Sequence, residues 1–337
     1  MTSSWPQQSL DWCAEAGVFK WFIPEQWGGD GYLPTEIADG YLALAESCLT
    51  TTFVITQRAA ACKRIVATEN VPLKQRLLPD LAVGQSFATV GISHLTTSHR
   101  HLGRPVLEAT AVNGGWKLNG FSPWVTGGVH ADHIVFGAEI RAETGDAPKQ
   151  LLVAVPTSEP GIKCLPGQSL VALSGSHTGR VELQDVMVPH ELVLAGPEEQ
   201  VLKAGKKNAA TGSLQTSALA IGLASAAVKF VSQQASQREN LVANEAALQQ
   251  ELADLRSKLL AMADGIMTCS NEELRTAANS FVLRATQSAL VAAKGAGFVA
   301  EHNVGRWCRE ALFFLVWSCP QNVSDANLCE FAGIQSA

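Results

Sequence analysis

Asn119-Gly120-Phe121-Ser122-Pro123-Trp124-Val125-Thr126-Gly127-Gly128 lies near the middle of a run of strand-like segments and joins two turn signals to one tryptophan. Upstream, Trp116-Lys117-Leu118 alternates large and polar residues into Asn119-Gly120, a dipeptide that tolerates positive φ and is the strongest short hairpin signal. The chain is expected to reverse there. Downstream, Trp124 and Thr126 stand two apart, so a strand points both to one face. An aromatic plane beside a hydroxyl suits a planar heterocycle. The same residues also describe a hairpin whose tryptophan simply covers a sheet.

Outward from this stretch, short alternating segments separated by turns fill residues 85–200, the mark of an antiparallel β domain. Strands are expected at 87–92, 105–112, 115–118, 123–126, 133–140, 150–155, 162–164 and 178–188, enough for a compact barrel or sandwich. On the N-terminal side, Leu10, Ala14, Val18 and Trp21 form an apolar stripe at helical spacing. A loop punctuated by Pro24, Gly28, Gly29 and Gly31 then separates helices, so residues 1–84 read as an all-α domain. Beyond residue 200 the helical period returns at 214–232, 245–268, 272–293 and 304–317, and residues 201–337 read as an antiparallel four-helix bundle. The expected fold is α+β: N-terminal helices, a middle antiparallel β domain and a C-terminal bundle.

The chain has 337 residues, 47% of them hydrophobic and only 17% charged, so large subunit or domain interfaces are expected to cover part of the surface. A net charge of −6 with scattered Lys and Arg lacks the basic footprint of nucleic-acid binding. No basic n-region followed by an apolar run marks an export signal. The longest apolar run, 218–227, is far shorter than the ~18–20 residues that span a bilayer. The eight cysteines include no CxxC pair and read as reduced thiols, which makes the cytoplasm the expected location.

The α, β, α order is uncommon, and here the sequence resembles the acyl-CoA dehydrogenases, flavoproteins that bind FAD between the β domain and the C-terminal bundle. Four segments carry the resemblance in the right order and spacing. They are Ile23-Pro24-Glu25-Gln26-Trp27-Gly28-Gly29, Lys74 to Leu81 with Gly84, Leu118-Asn119-Gly120 through Trp124-Val125-Thr126, and Val181-Glu182-Leu183-Gln184-Asp185-Val186-Met187-Val188-Pro189. The resemblance implies that Trp124 packs on the flavin, that Thr126 reaches its reactive edge, and that the strand ending in Ile92 and Ser93 faces its pyrimidine end. Ile92 stands where a threonine is usual. Ser98 is the residue kept from the family's substrate loop, and Arg238, in a reduced form of a phosphate-meeting signature, is expected on the pyrophosphate because a guanidinium fits phosphate geometry.

The main departure concerns the base. The family's glutamate position falls on Ser318, and the alternative position used by some members falls on Gln215; neither side chain can abstract an α-proton next to a thioester at neutral pH. Glu301, Glu310 and Glu330 are the acids nearest in sequence, and Glu310 is expected to pair structurally with Arg309 or Arg306. His94, His99, His101, His130 and His133 cluster in the β domain, but no carboxylate or cysteine stands at a ligand spacing and Arg100 and Arg104 would repel a cation, so no metal site is expected. Ser318-Cys319 has no nucleophile elbow or adjacent histidine.

The resemblance implies an FAD-dependent oxidoreductase acting on CH–CH groups, with a small-molecule substrate such as an acyl-CoA, an electron-transfer partner, and a homodimeric or homotetrameric state. A flavin-dependent monooxygenase of the same fold, which needs no glutamate at that position, is the alternative. A relative that has lost turnover and serves as a binding or scaffold subunit is the third.

Overall fold

The computed structural model describes residues 4–95, 106–140, 148–202 and 211–334. The N-terminal part holds α1 (Gln7–Glu15), α2 (Pro34–Ser47), α3 (Leu49–Ala67) and α4 (Val71–Val83). Pro34 opens α2 where a missing N–H costs nothing, and the Glu36 carboxylate accepts the Leu33 N–H at 2.7 Å. α3 is apolar on almost every side, with Phe53, Val54, Ile55, Ala59, Ala61, Cys62 and Ile65 all buried, so it runs as a central helix rather than a surface one.

The middle part is an eight-stranded sheet: β1 (Ala88–Gly91), β2 (Leu107–Val112), β3 (Gly115–Val125), β4 (His133–Ile140), β5 (Lys149–Pro156), β6 (Ile162–Cys164), β7 (Gly179–Pro189) and β8 (Val193–Glu198), in the order β6-β7-β3-β2-β4-β5-β8 with β1 also on β4. Most pairings are antiparallel, but β4 runs parallel to both β1 and β2. Alternation of apolar and polar residues encodes which face a strand buries and says nothing of its direction.

The expected reversal at Asn119-Gly120 does not occur. The chain turns one signal earlier, at Asn113-Gly114, where Val112 pairs with Gly115 and Gly114 takes φ 83°. β3 then runs unbroken through Asn119-Gly120, whose freedom serves a bulge: the register against β7 shifts between Leu118 and Gly120. Gly120 has φ 127°, and a Cβ there would fall 2.2 Å from the Val106 carbonyl oxygen. Across the bulge the Asn119 amide donates to the Asp185 carboxylate at 3.2 Å and accepts the Asp185 N–H at 2.8 Å.

The C-terminal helices are α5 (Thr211–Ala235), α6 (Val242–Ala263), α7 (Asn271–Ala293), α8 (Asn303–Ala311), α9 (Phe313–Val316) and α10 (Gln321–Ala332). α7 starts on a capping box in which Ser270 Oγ accepts the Glu273 N–H and the Glu273 carboxylate accepts the Ser270 N–H. α5 is long and apolar enough to cross a membrane by length and composition, and 78% of its most apolar window is buried among the other helices. Its Gly222 lies against α2 so closely that a Cβ would meet the Leu42 carbonyl oxygen at 2.6 Å.

The helix expected over 304–317 is broken. Side chains from α7 take the carbonyls of its last turn: Arg275 Nη2 donates to Phe314 O at 3.3 Å and Trp317 O at 3.2 Å, and Asn279 Nδ2 donates to Phe314 O at 3.0 Å. The interruption itself falls at Leu312, between α8 and α9; beyond α9 Trp317 is extended, and Ser318 takes a left-handed φ of 44°.

Candidate active site

Trp124 is the penultimate residue of β3, Ser93 follows β1, Phe53 lies on α3, Phe313 opens α9, and Trp317 and Ser318 follow it. These six side chains line both of two adjoining cavities, of about 490 and 320 Å³, between the sheet and the helices. Opposed to Trp124 is an aromatic cluster: Phe313 and Trp317 stack at 5.4 Å, and the Phe53 ring meets them edge-on at 4.9 and 4.7 Å. The larger cavity continues along 170–173 to Thr178, Arg309 and Val316. The smaller one continues along α3 and α5, past Gln57, Ala60, Lys63, Arg64, Ile92 and Gln215.

Most of the residues singled out in the sequence meet here. Ile92 and Gln215 line the smaller cavity, and Ser93, Trp124 and Ser318 line both. Ser318 and Gln215, read independently as the two positions of a base, thus face one space, with the Gln215 amide donating to the Tyr41 hydroxyl at 3.0 Å.

Thr126 is not among the residues that line either cavity. The strand ends at Val125, the alternation lapses, and Thr126 is buried with its hydroxyl 2.9 Å from that of Thr178. Thr178, also bonded to Ser176 at 2.8 Å, is the hydroxyl that reaches the larger cavity. Sequence reading missed it; its signal was its place at the head of the strand paired with the tryptophan-bearing one.

Arg238 lies elsewhere in the chain. It follows the far end of α5, about 30 Å of helix from Gln215 at 1.5 Å per residue. Its Nη2 donates to Gln234 Oε1 at 2.9 Å and to Ala292 O at 2.6 Å, capping the end of α7. Ser98, His99 and His101 fall outside the described residues.

Charge in this space is one-sided. Among the described residues no Asp or Glu lines either cavity, whereas Lys63, Arg64 and Arg309 do. Burial pushes the Arg64 guanidinium down to about 10, and burial followed by the neighbouring Arg64 charge lowers Lys63. Glu310 lies behind the wall, 3% exposed, and faces a separate cavity of about 550 Å³ near Trp5. Burial pushes its carboxyl up to about 7 against the pull of Arg306 and Arg309, and its ion-pair partner is Arg306 at 3.7 Å. Glu301 faces that same separate cavity, and Glu330 accepts a hydrogen bond from Ser280 at 2.6 Å.

The histidines serve the fold. His94 Nε2 bonds the Gly137 carbonyl at 2.6 Å, and His130 Nε2 lies 2.8 Å from His177 Nδ1 beneath a stacked Trp5. Among the described residues no three metal-ligating side chains come together.

No protein-family model matches the chain. Over 330 residues it is 24% identical to the probable acyl-CoA dehydrogenase YngJ of Bacillus subtilis, a match spanning 92% of this chain and 85% of that protein. It is 28% identical over 193 residues to the glutaryl-CoA dehydrogenase of Desulfococcus multivorans, covering 54% and 47% of the two chains. Its fold matches the structure of butyryl-CoA dehydrogenase from Megasphaera elsdenii with a TM-score of 0.83 at 20% identity, over 97% of this chain and 91% of that one. Along nearly its whole length the chain is similar in sequence to acyl-CoA dehydrogenases, and it shares their helix, sheet, helix fold.

Proposed function

We propose that the protein is an FAD-dependent oxidoreductase whose flavin and substrate share the space between Trp124 and Ser318. The observation that supports this most directly is the convergence of Ile92, Ser93, Trp124, Gln215 and Ser318 on adjoining cavities. The space suits a flat heterocycle: its 490 Å³ lies within the ~300–1,000 Å³ of small-molecule sites, its walls are aromatic, and Thr178 offers a fixed hydroxyl. A bound flavin supplies a two-electron acceptor. Trp124 would cover the ring and exclude water, Thr178 would hold a polar edge with Thr126 and Ser176 fixing its hydroxyl, and Phe313 and Trp317 would pack the substrate's apolar part.

An acyl-CoA thioester is the substrate that the relatives' activities favour, with an electron-transfer protein as the acceptor. The second reading, a monooxygenase of this fold, draws on a specific feature: no carboxylate among the described residues lines the cavities, and oxygen chemistry does not need one there. Anaerobic addition of an acyl-CoA panel to the FAD-loaded protein separates them. Bleaching of the flavin supports the dehydrogenase; a flavin that stays oxidised under acyl-CoA and is consumed only with an external reductant and oxygen supports the monooxygenase.

We further propose a cytoplasmic homodimer or homotetramer. All eight cysteines are free thiols, and Val291, Phe298 and Val316, on or beside the C-terminal helices, are 75, 88 and 79% exposed, as residues awaiting a partner are. Sedimentation equilibrium gives the mass directly, and a monomer at micromolar concentration would contradict it.

A further inference from the structure

We propose that the end of the smaller cavity walled by Lys63 and Arg64 is an anion subsite, and that the substrate is an organic acid whose terminal carboxylate it holds. The inference rests on the reading that this space receives substrate. Lys63 and Arg64 are consecutive on α3, yet both reach the cavity wall at the end remote from Thr178 and Arg309. Between them and Trp124 the lining is apolar or neutral: Phe53, Ala60, Leu219 and Gln57. A ligand lying along this space would meet apolar contacts first and cations last.

The chain does not neutralise these cations itself. Among the described residues neither makes a salt bridge; Arg64 Nη1 donates to Ala60 O at 2.9 Å, which leaves its other donors, and Lys63 sits 5.6 Å from the Phe22 ring centroid. Arg58, on the same helix, shows how the protein treats a purely structural buried cation. Its guanidinium is fully buried, donates to the carbonyls of Phe19 and Leu81, and lies 3.8 Å over the Phe19 ring, touching none of the cavities lined by Trp124. Two neighbouring half-buried cations without a counter-charge repel each other and lose part of their hydration, a cost that an incoming anion reduces. Arg64 also stands in the last turn of α3, where a cation complements the helix dipole, but that role needs no access to a cavity and does not account for Lys63.

Calorimetric titration of the FAD-loaded protein tests this with two matched pairs: adipoyl-CoA against hexanoyl-CoA, and free adipate against adipamide. The anionic member of each pair is expected to bind more tightly by on the order of tenfold to a hundredfold, the worth of charge-assisted hydrogen bonds in a desolvated site. The double variant Lys63→Gln, Arg64→Gln should lose that preference, and Arg64→Lys, which keeps the charge, should retain most of it. Circular dichroism on each variant separates lost binding from lost folding. Equal affinity within both pairs, or a preference that survives the double substitution, overturns the subsite. Inorganic phosphate binding more tightly than adipate overturns the carboxylate assignment. If neither thioester binds but adipate is still preferred to adipamide in a Lys63- and Arg64-dependent way, the subsite stands and the acyl-CoA reading falls. If both thioesters bind equally and adipate is not preferred to adipamide, the subsite falls and the acyl-CoA reading stands.

Discussion

Replacing Arg275 by methionine would test whether the turn presenting Ser318 is held from behind by α7. Arg275 is 4% exposed and gives three hydrogen bonds: to Asn279 Oδ1 at 2.9 Å, Phe314 O at 3.3 Å and Trp317 O at 3.2 Å. Burial lowers its guanidinium to about 10, which still leaves it charged at neutral pH. Methionine keeps much of the volume but donates nothing. Phe314 O retains Asn279 Nδ2 at 3.0 Å, so two acceptors, Asn279 Oδ1 and Trp317 O, lose this donor. At about 1–3 kcal/mol for each buried acceptor left without a partner the loss is about 2–6 kcal/mol, and relief from burying a cation returns part of it. A net destabilisation of about 2–3 kcal/mol is expected, read as a lower urea midpoint at unchanged slope. Because the same carbonyls hold Trp317 extended and Ser318 left-handed, ligand affinity in the cavity should fall beyond what unfolding explains. A variant as stable as wild type, with unchanged Trp317 emission and ligand affinity, would refute the reasoning.

Glu310 makes stability depend on pH. Its folded-state value, about 7, lies above the ordinary 4.5, so its contribution is fully present below pH 4.5 and is lost as pH rises through 7. Glu310→Gln should flatten the stability curve over that window and stabilise the protein at pH 8 by about 3 kcal/mol; an unchanged curve counts against a buried, desolvated carboxyl. Gly222→Leu should separate α2 from α5 and lower the melting temperature, since even a Cβ would lie 2.6 Å from the Leu42 carbonyl oxygen and 2.7 Å from the Ala45 Cβ. Overpacking of this kind costs about 1–3 kcal/mol, and a neutral variant would show that the helices can part freely. Gly120→Ala should be similarly damaging through the β3 bulge, whereas Gly114→Ala meets no neighbour within 4 Å and should carry only the strain of its positive φ.

Much of the fold was legible because its signals were local and periodic. The spans of β4 and β6 followed from short apolar segments between turn residues, and α5 from the return of the helical period. What failed were choices between equivalent local signals: Asn113-Gly114 and Asn119-Gly120 read alike, and only the pairing of β3 with both β2 and β7 decides which turns and which bulges. β8 was unread, as a short strand containing Gly196-Pro197 carries little alternation. The support of the turn before Ser318 was invisible because it comes from Arg275 and Asn279, some 40 residues away. In the site, Trp124, Ser318 and Gln215 were found through family spacing, whereas Thr178, Lys63 and Arg64 enter only once α3 and β7 are placed around the cavity.

The most direct measurement is the visible spectrum of the purified protein after loading with FAD and gel filtration, taken beside Trp124→Ala. Wild type should keep about one flavin per chain with a shifted spectrum, and the variant should lose it on the column. A wild-type protein that emerges colourless, or a variant that holds FAD equally well, would contradict a flavin site built on Trp124.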